Sequence, residues 1–247
     1  MIYYILFLWL VLAGPFKAEE IPWPEGTEIL AAVDRNLAAE TRIMRARMLI
    51  VTARGNRAVE FRSYIRGEDQ AYTEYLAPPR EKGVKMLKLH TQLWTYMPDA
   101  NRVIQIAGHL LRQSVMGSDL SYEDMLEDNR LADSYTAEVT AIDTLAGRSC
   151  WVLRLDAARD GLTYQQRKLW VDCERWTPLR EELYSKSGRL IKEIELNDVR
   201  YVDNRWFPHR MLFRDLLKKS GGTEFIIDSI RFNPVIPPYF FTKSVLR

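Results

Sequence analysis

Histidine, cysteine and paired acids are the side chains that most often do chemistry, and this chain uses the first two sparingly. His90, His109 and His209 lie in different segments, and none has the neighbours that a nucleophile–base–acid arrangement requires. Cys150 and Cys173 are the only cysteines. No Cys/His spacing for a metal can be assembled from these five residues, so no metal is expected. The sequence has no Gly-x-Ser-x-Gly elbow, no phosphate-cradling glycine loop and no His-Glu-x-x-His run. Asp119 with Glu123, and Glu181 with Glu182, are acidic pairs of the kind found on any solvated or capping position. Neither an enzyme nor a bound cofactor is expected. Two features remain. Cys150 and Cys173 fall in successive expected strands, so a disulfide between them is one reading and two buried thiols the other. Large aromatic and sulfur side chains also recur along the chain. Trp94, Tyr96, Met97, Leu110, Met116, Trp151, Trp170, Met211, Phe213 and Phe225 are candidates to line an apolar cavity for greasy ligands, although such residues commonly serve as plain core.

These side chains are carried mostly on strands. Val59, Phe61, Ser63 and Ile65 alternate with polar neighbours, and a turn at Gly67-Glu68-Asp69 leads to a return strand over 71–76. Further strands are expected at 84–89, 93–97, 102–106, 134–142, 150–157, 164–173, 179–185, 190–199, 205–218 and 224–232. Two stretches read as helical: Pro24 to about Met48, and an island made of 107–115 and 121–128. In the island Ser121 and Asp124 have the spacing of a capping box. A dozen strands, mostly in hairpins and without βαβ alternation, predict a mainly β (α+β) fold. The expected architecture is an unclosed antiparallel β-barrel, or strongly curved sheet, with helices covering the open face.

The whole chain has 247 residues, 47% hydrophobic and 28% charged, which is ordinary globular composition. Its 35 Lys and Arg against 33 Asp and Glu leave a net charge of +2, no basic field for a nucleic acid. Residues 2–13 form an uncharged apolar run that ends at Gly14-Pro15. It is shorter than a membrane-spanning helix and reads as a secretory signal over 1–18, followed by one domain over 19–247.

The run Tyr75-Leu-Ala-Pro-Pro-Arg-Glu-Lys-Gly83 precedes Leu93-Trp-Thr-Tyr-Met-Pro98 and Arg102-Val-Ile-Gln-Ile106. Then comes Arg112-Gln-Ser-Val-Met-Gly-Ser-Asp-Leu-Ser-Tyr-Glu-Asp124. With Leu169-Trp-Val-Asp172, Trp206-Phe-Pro208 and the tail from Phe232 to Thr242, this series resembles the LolA-like outer-membrane lipoprotein-sorting protein family of the Gram-negative periplasm. The resemblance implies an unclosed barrel with helices over its open face. It also implies a periplasmic carrier that holds the acyl chains of a lipid or lipoprotein, with an inner-membrane transporter as a partner. A sensor or binding module on the same fold, recognising envelope peptides or lipopolysaccharide, is the rival expectation. The motif residues Pro78, Pro79, Arg80, Glu81, Gly83, Gly117, Ser118, Asp119, Tyr122 and Asp124 read as structural. Pro78-Pro79 sets an extended segment, and Arg80 and Glu81 pair with neighbouring charges or stay solvated. Gly117 supplies a positive φ, and Ser118 or Asp119 caps the helix that follows.

Overall fold

A computed structural model describes residues 23–52, 55–127 and 130–247. The expected secretory signal over 1–18 lies outside these residues. Alternation of buried and exposed side chains builds thirteen strands among the described residues. They are β1 (Thr41–Thr52), β2 (Gly55–Arg66), β3 (Gln70–Ala77), β4 (Lys85–Leu89), β5 (Gln92–Met97), β6 (Arg102–Ile106) and β7 (Tyr135–Leu145). The rest are β8 (Arg148–Ala157), β9 (Gln166–Asp172), β10 (Pro178–Tyr184), β11 (Leu190–Val202), β12 (Arg205–Asp215) and β13 (Gly222–Phe232). All join one antiparallel sheet in the order β6-β5-β4-β3-β2-β1-β13-β12-β11-β10-β9-β8-β7. Its edges, β6 and β7, do not pair with each other, so the barrel is unclosed. The expected fold class is the one found.

The sheet is strongly curled. Lys88 on β4 and Arg167 on β9 are eight strand steps apart, from β4 through β3, β2, β1, β13, β12, β11 and β10 to β9. In a flat sheet that is about 38 Å. Yet the Lys88 ammonium donates to the Glu127 carbonyl, and the Arg167 guanidinium donates to the carboxylate of the same residue. One face is therefore concave, and it carries the largest core cluster, with Met48, Val59, Phe61, Tyr75 and Phe207 among its members.

Two stretches differ from the helical expectation. Helix α1 spans Gly26–Leu37 and ends there; from Thr41 the chain is strand, because Arg42, Ala46, Met48 and Ile50 are buried between more exposed neighbours. Helix α1 buries Ile29, Leu30 and Val33 against Trp151, Leu153, Leu155, Leu169 and Val171 at the β7–β9 end of the concave face. It sits tightly on β7: a Cβ on Gly26 would lie 2.4 Å from the Ala137 carbonyl oxygen. The island over 107–127 holds two short 3₁₀ turns, Gly108–Arg112 and Val115–Gly117, and further turns instead of α-helices. Its polar groups bond outward to the sheet, so tertiary contacts replace the helical ladder.

The convex face is covered in part by the C-terminal tail. Phe240 stacks on Tyr64 with ring centroids 4.0 Å apart, and Leu246 is fully buried with Leu87 and Trp94. The Lys243 ammonium lies 4.1 Å from the centre of the Trp94 ring.

The disulfide reading is corrected. Cys150 and Cys173 are both free thiols. Cys150 stands directly opposite Asp172 in the β8–β9 register, so its neighbour in sequence, Cys173, points to the other face. Cys150 packs with Val152, Trp170 and Leu179, whereas Cys173 packs with the cluster under α1. Burial pushes the Cys150 thiol up to about 11. In the native protein under oxidising conditions, mass spectrometry is expected to find two free thiols. A maleimide is expected to label the half-buried Cys173 well before Cys150.

Candidate binding cavity

The segment between β6 and β7 starts at one sheet edge, crosses the concave face and ends at the other edge. We call it the strap. Polar side chains fasten its described residues at several points. The Arg57 guanidinium donates to the Met116 carbonyl and pairs with Glu81 at 2.7 Å. Lys218 donates to the Ser114 hydroxyl at 2.8 Å and to the Ser118 carbonyl at 3.0 Å. Lys192 on β11 pairs with Asp124, and Arg167 on β9 pairs with Glu127. Asp34 on α1 accepts the backbone N–H groups of Leu131 and Ala132.

The motif residues expected to be structural are placed by these contacts. Gly117 has φ +71°, the left-handed conformation that favours glycine. Glu81 is buried and paired with Arg57, whereas Arg80 and Pro79 are exposed in the β3–β4 turn. Gly83 has φ +85° in the same turn, and its N–H donates back to the Tyr75 carbonyl. The Ala77–Pro78 peptide bond is cis. The Ser121–Asp124 exchange exists: the Ser121 N–H donates to the Asp124 carboxylate at 2.6 Å, and the Asp124 N–H donates to the Ser121 hydroxyl at 3.3 Å. It closes a turn and starts no helix. The Ser118 hydroxyl takes the Leu120 N–H at 3.2 Å, again without a helix to cap. Tyr122 packs half-buried against the concave core, and burial raises its phenol.

Asp119 departs further from the capping expectation. It is 1% exposed and reaches the β12–β13 turn. Its carboxylate accepts from the Thr223 hydroxyl at 2.7 Å, the Ser220 hydroxyl at 2.5 Å and the Asp215 N–H at 3.1 Å. Its own N–H donates to the Thr223 oxygen at 2.9 Å. Asp119→Ala strands these donors, and the expected loss is about 3 kcal/mol of unfolding free energy in urea titration. Amide exchange of 107–127 is expected to quicken in the same variant.

Beneath the strap lie two chambers. The larger, of about 300 Å³, is lined by Leu37, Leu131, Leu183, Ile194, Leu196 and Phe213 among others. The smaller, of about 250 Å³, is lined by Met44, Met48, Phe61, Tyr75, Phe225 and Ile230 among others. Both touch Arg42, Leu120, Asp124, Glu127, Phe207 and Met211, so the strap's Leu120, Asp124 and Glu127 stand at the partition. Of the ten side chains proposed from sequence as cavity lining, Met211, Phe213 and Phe225 line the chambers. Leu110 and Met116 pack against the same core from the strap. The other five are elsewhere, and those assignments are corrected. Trp94 and Tyr96 face the convex side under the tail, and Met97 is exposed. Trp170 lies on the convex side, its indole N–H donating to Asp143 at 3.0 Å. Trp151 faces inward but is covered by α1 and lies against Trp176.

The chambers also hold charges that no sequence pattern marked. Burial alone would raise the Asp124 carboxyl, but Lys192, the Tyr164 hydroxyl at 2.6 Å and the Ser121 N–H together hold it below the usual aspartate value. Arg167 lies between the carboxylates of Glu127 and Glu181 and over the rings of Tyr135 and Tyr164, 4.8 and 5.4 Å from their centres. Burial nevertheless leaves the Glu127 carboxyl above its usual value. Arg42 ties the sheet to α1 through the Leu37 carbonyl at 3.0 Å and pairs with Glu68 at 3.2 Å. Among the described residues no group of three or more His, Cys, Asp or Glu is placed to hold a metal ion.

Comparison with known proteins places this architecture. A 1.75 Å crystal structure of a DUF1329 family protein from Desulfovibrio piger is 22% identical and superposes with a TM-score of 0.82, covering 90% of this chain and 98% of that one. A Vibrio parahaemolyticus domain that carries the name outer membrane lipoprotein-sorting protein is 23% identical, with a TM-score of 0.77 over 90% and 97% of the two chains. A LolA superfamily protein from Nitrosomonas europaea is 20% identical, with a TM-score of 0.75 over 90% and 100%. No curated protein matches the sequence. A family model described as "Uncharacterized protein" matches residues 67–247, well over half of the chain. The chain belongs to that family, and its fold is the LolA-like one that the resemblance in the sequence implied.

Proposed function

We propose that this protein is a periplasmic carrier that holds acyl chains of a lipid or lipoprotein in the chambers beneath the strap and ferries them towards the outer membrane. The observation that carries the reading is the pair of largely apolar chambers on the concave face. Volumes of about 300 and 250 Å³ equal those of roughly ten and eight liquid waters, so each suits one short chain or part of a longer one. Each buried methylene contributes about 0.8 kcal/mol, so a dozen supply about 10 kcal/mol to set against the costs of association. The names of the Vibrio and Nitrosomonas structures fit the same role. Sequestration needs no bond-breaking chemistry, and none is proposed. Among the described residues no helix is long and apolar enough to cross a membrane. Release would then fall to a partner that loosens the strap, and an inner-membrane transporter is the loading partner this reading favours.

The test is native mass spectrometry of protein purified from a Gram-negative periplasm, with lipid extraction of the same sample. A co-purifying acylated species is expected. An empty protein that also leaves a fluorescent fatty-acyl probe unbound would overturn the reading and favour a module that recognises envelope peptides or lipopolysaccharide.

A further inference from the structure

The net charge of +2 hides an uneven distribution. In an antiparallel meander successive turns fall alternately at the two rims of the sheet. The β1–β13 seam is antiparallel too, with Val51 opposite Gly222, so the β1–β2 and β12–β13 turns share a rim. The β3–β4, β5–β6, β8–β9 and β10–β11 turns lie on that same rim. Its described turn residues (78–84, 98–101, 158–165, 185–189 and 216–221) hold seven Lys and Arg against three acids, and one of those acids, Glu81, is buried against Arg57. The opposite rim carries the turns 67–69, 90–91, 146–147, 173–177 and 203–204. It is acidic, with Glu68, Asp69, Glu174 and Asp203 against one cation, Arg175.

The cations of the first rim are also left open. On the strands, Arg45, Arg47, Arg210 and Arg214 each face a carboxylate. At the rim, Arg80, Lys82, Lys186, Arg189 and Lys219 are exposed and make no salt bridge among the described residues. Beside Lys219, the β12–β13 turn holds two apolar side chains in solvent: Leu216 is 43% and Leu217 57% exposed. Exposed Val51 borders the turn, its carbonyl taking the Gly221 N–H at 3.0 Å. The turn is held in place. The Leu216 N–H donates to the Ile191 carbonyl at 2.8 Å, and Lys218 pairs with Asp215 at 3.1 Å while it fastens the strap. Leucines fixed in water gain free energy when an apolar phase takes them up.

We propose that this rim docks on the surface of an anionic phospholipid membrane. Its Lys and Arg side chains meet the headgroup phosphates, and Leu216 and Leu217 enter the boundary between headgroups and acyl chains. Charge complementarity selects this occupant. Cations spread over four turns of a rim match an extended anionic plane, and an anionic plane with an apolar interior also takes up the leucines. A second copy of the chain offers opposite charge on its acidic rim, but the turns there contain no Leu, Ile or Val. Leu216 and Leu217 lie outside both chambers, and the proposal does not rest on the carrier reading.

The experiment is cosedimentation of the protein, purified from a Gram-negative periplasm, with vesicles of phosphatidylglycerol and phosphatidylethanolamine. Phosphatidylcholine vesicles with the same acyl chains are the comparison. Binding to the anionic vesicles that falls as salt is added is expected, with little binding to the neutral ones. The pair Lys186→Glu and Lys219→Glu, and the pair Leu216→Ser and Leu217→Ser, are each expected to weaken binding by at least about tenfold. Lys218 is kept because it fastens the strap. All four substituted side chains are exposed, so thermal melts are expected to be unchanged; should a pair fail to fold, the wild-type comparison of the two vesicles still decides. Leu217→Trp is expected to add fluorescence that brominated lipid quenches. Absence of vesicle binding would overturn the inference and leave the carrier reading, which has its own acyl probe, standing. Equal binding to both vesicles would overturn it in favour of lipid uptake by the chambers. Anionic binding that survives both pairs of substitutions would overturn it by moving the contact off this rim. Self-association that rises with protein concentration, without vesicle binding, would overturn it in favour of a second copy.

Discussion

Asp124→Ala is expected to cost about 3–5 kcal/mol of stability, because it leaves the Lys192 ammonium buried and without its carboxylate partner. In a chain of this length that is a fall in melting temperature of roughly 10 °C or more. The Tyr164 hydroxyl and the Ser121 N–H lose their acceptor at the same time. The pH dependence has a definite sign. Asp124 has its folded pKa held below the ordinary value of 3.8, so its contribution is fully present above that value. It is lost as pH falls through the lower folded pKa. The gap between wild type and Asp124→Ala is therefore expected to be constant at neutral pH and to close only in strong acid. Adding Lys192→Met to Asp124→Ala removes the stranded charge, and most of the loss is expected to return. Thermal melts of the three proteins from pH 7 downward check this, and a gap that widened in acid would refute it.

Met211→Asp is expected to weaken binding of a fluorescent acyl probe by at least about a hundredfold, since it sets a carboxylate into the wall of both chambers. Met211 is only half-buried and stands opposite Phe225 on β13 and Leu196 on β11. The fold is expected to lose no more than about 1–3 kcal/mol. Tyr201→Asp is the control. Tyr201 is 59% exposed on β11, and its substitution is expected to leave probe affinity unchanged. Wild-type affinity in a folded Met211→Asp protein would remove the chambers from the binding mechanism.

The strands were legible because alternation is a local property. β2 shows it plainly, with Val59, Phe61 and Ser63 buried between more exposed neighbours. Alternation says which side chains share a face and not which face is concave. On β5 both faces are covered, Leu93 by the concave core and Trp94 by the tail, so an aromatic residue there was no guide to the cavity. The strap deceived for a different reason. Leu110, Leu111 and Val115 have helical spacing, but Gly108 and Gly117 take positive φ, and Asp119, Asp124 and Glu127 bond to distant strands. The buried charges could not be found at all from sequence. Arg42, Arg167 and Lys192 are surface residues by type, and only the register that brings each to the concave face makes them interior.

The strand order described above also sets the route by which the chain reaches this structure. Every neighbouring pair in the sheet is a consecutive hairpin except β1 with β13, whose paired residues run from Arg42 with Phe232 to Val51 with Gly222. The meanders β1–β6 and β7–β13 form through short loop closures, which are fast. The seam between them joins residues separated by most of the chain, so its closure carries the largest loop entropy and comes late. Until it closes, each meander exposes an apolar sheet face and an open central edge to solvent, a hazard for association between chains. Refolding yield is thus tied to protein concentration by topology alone.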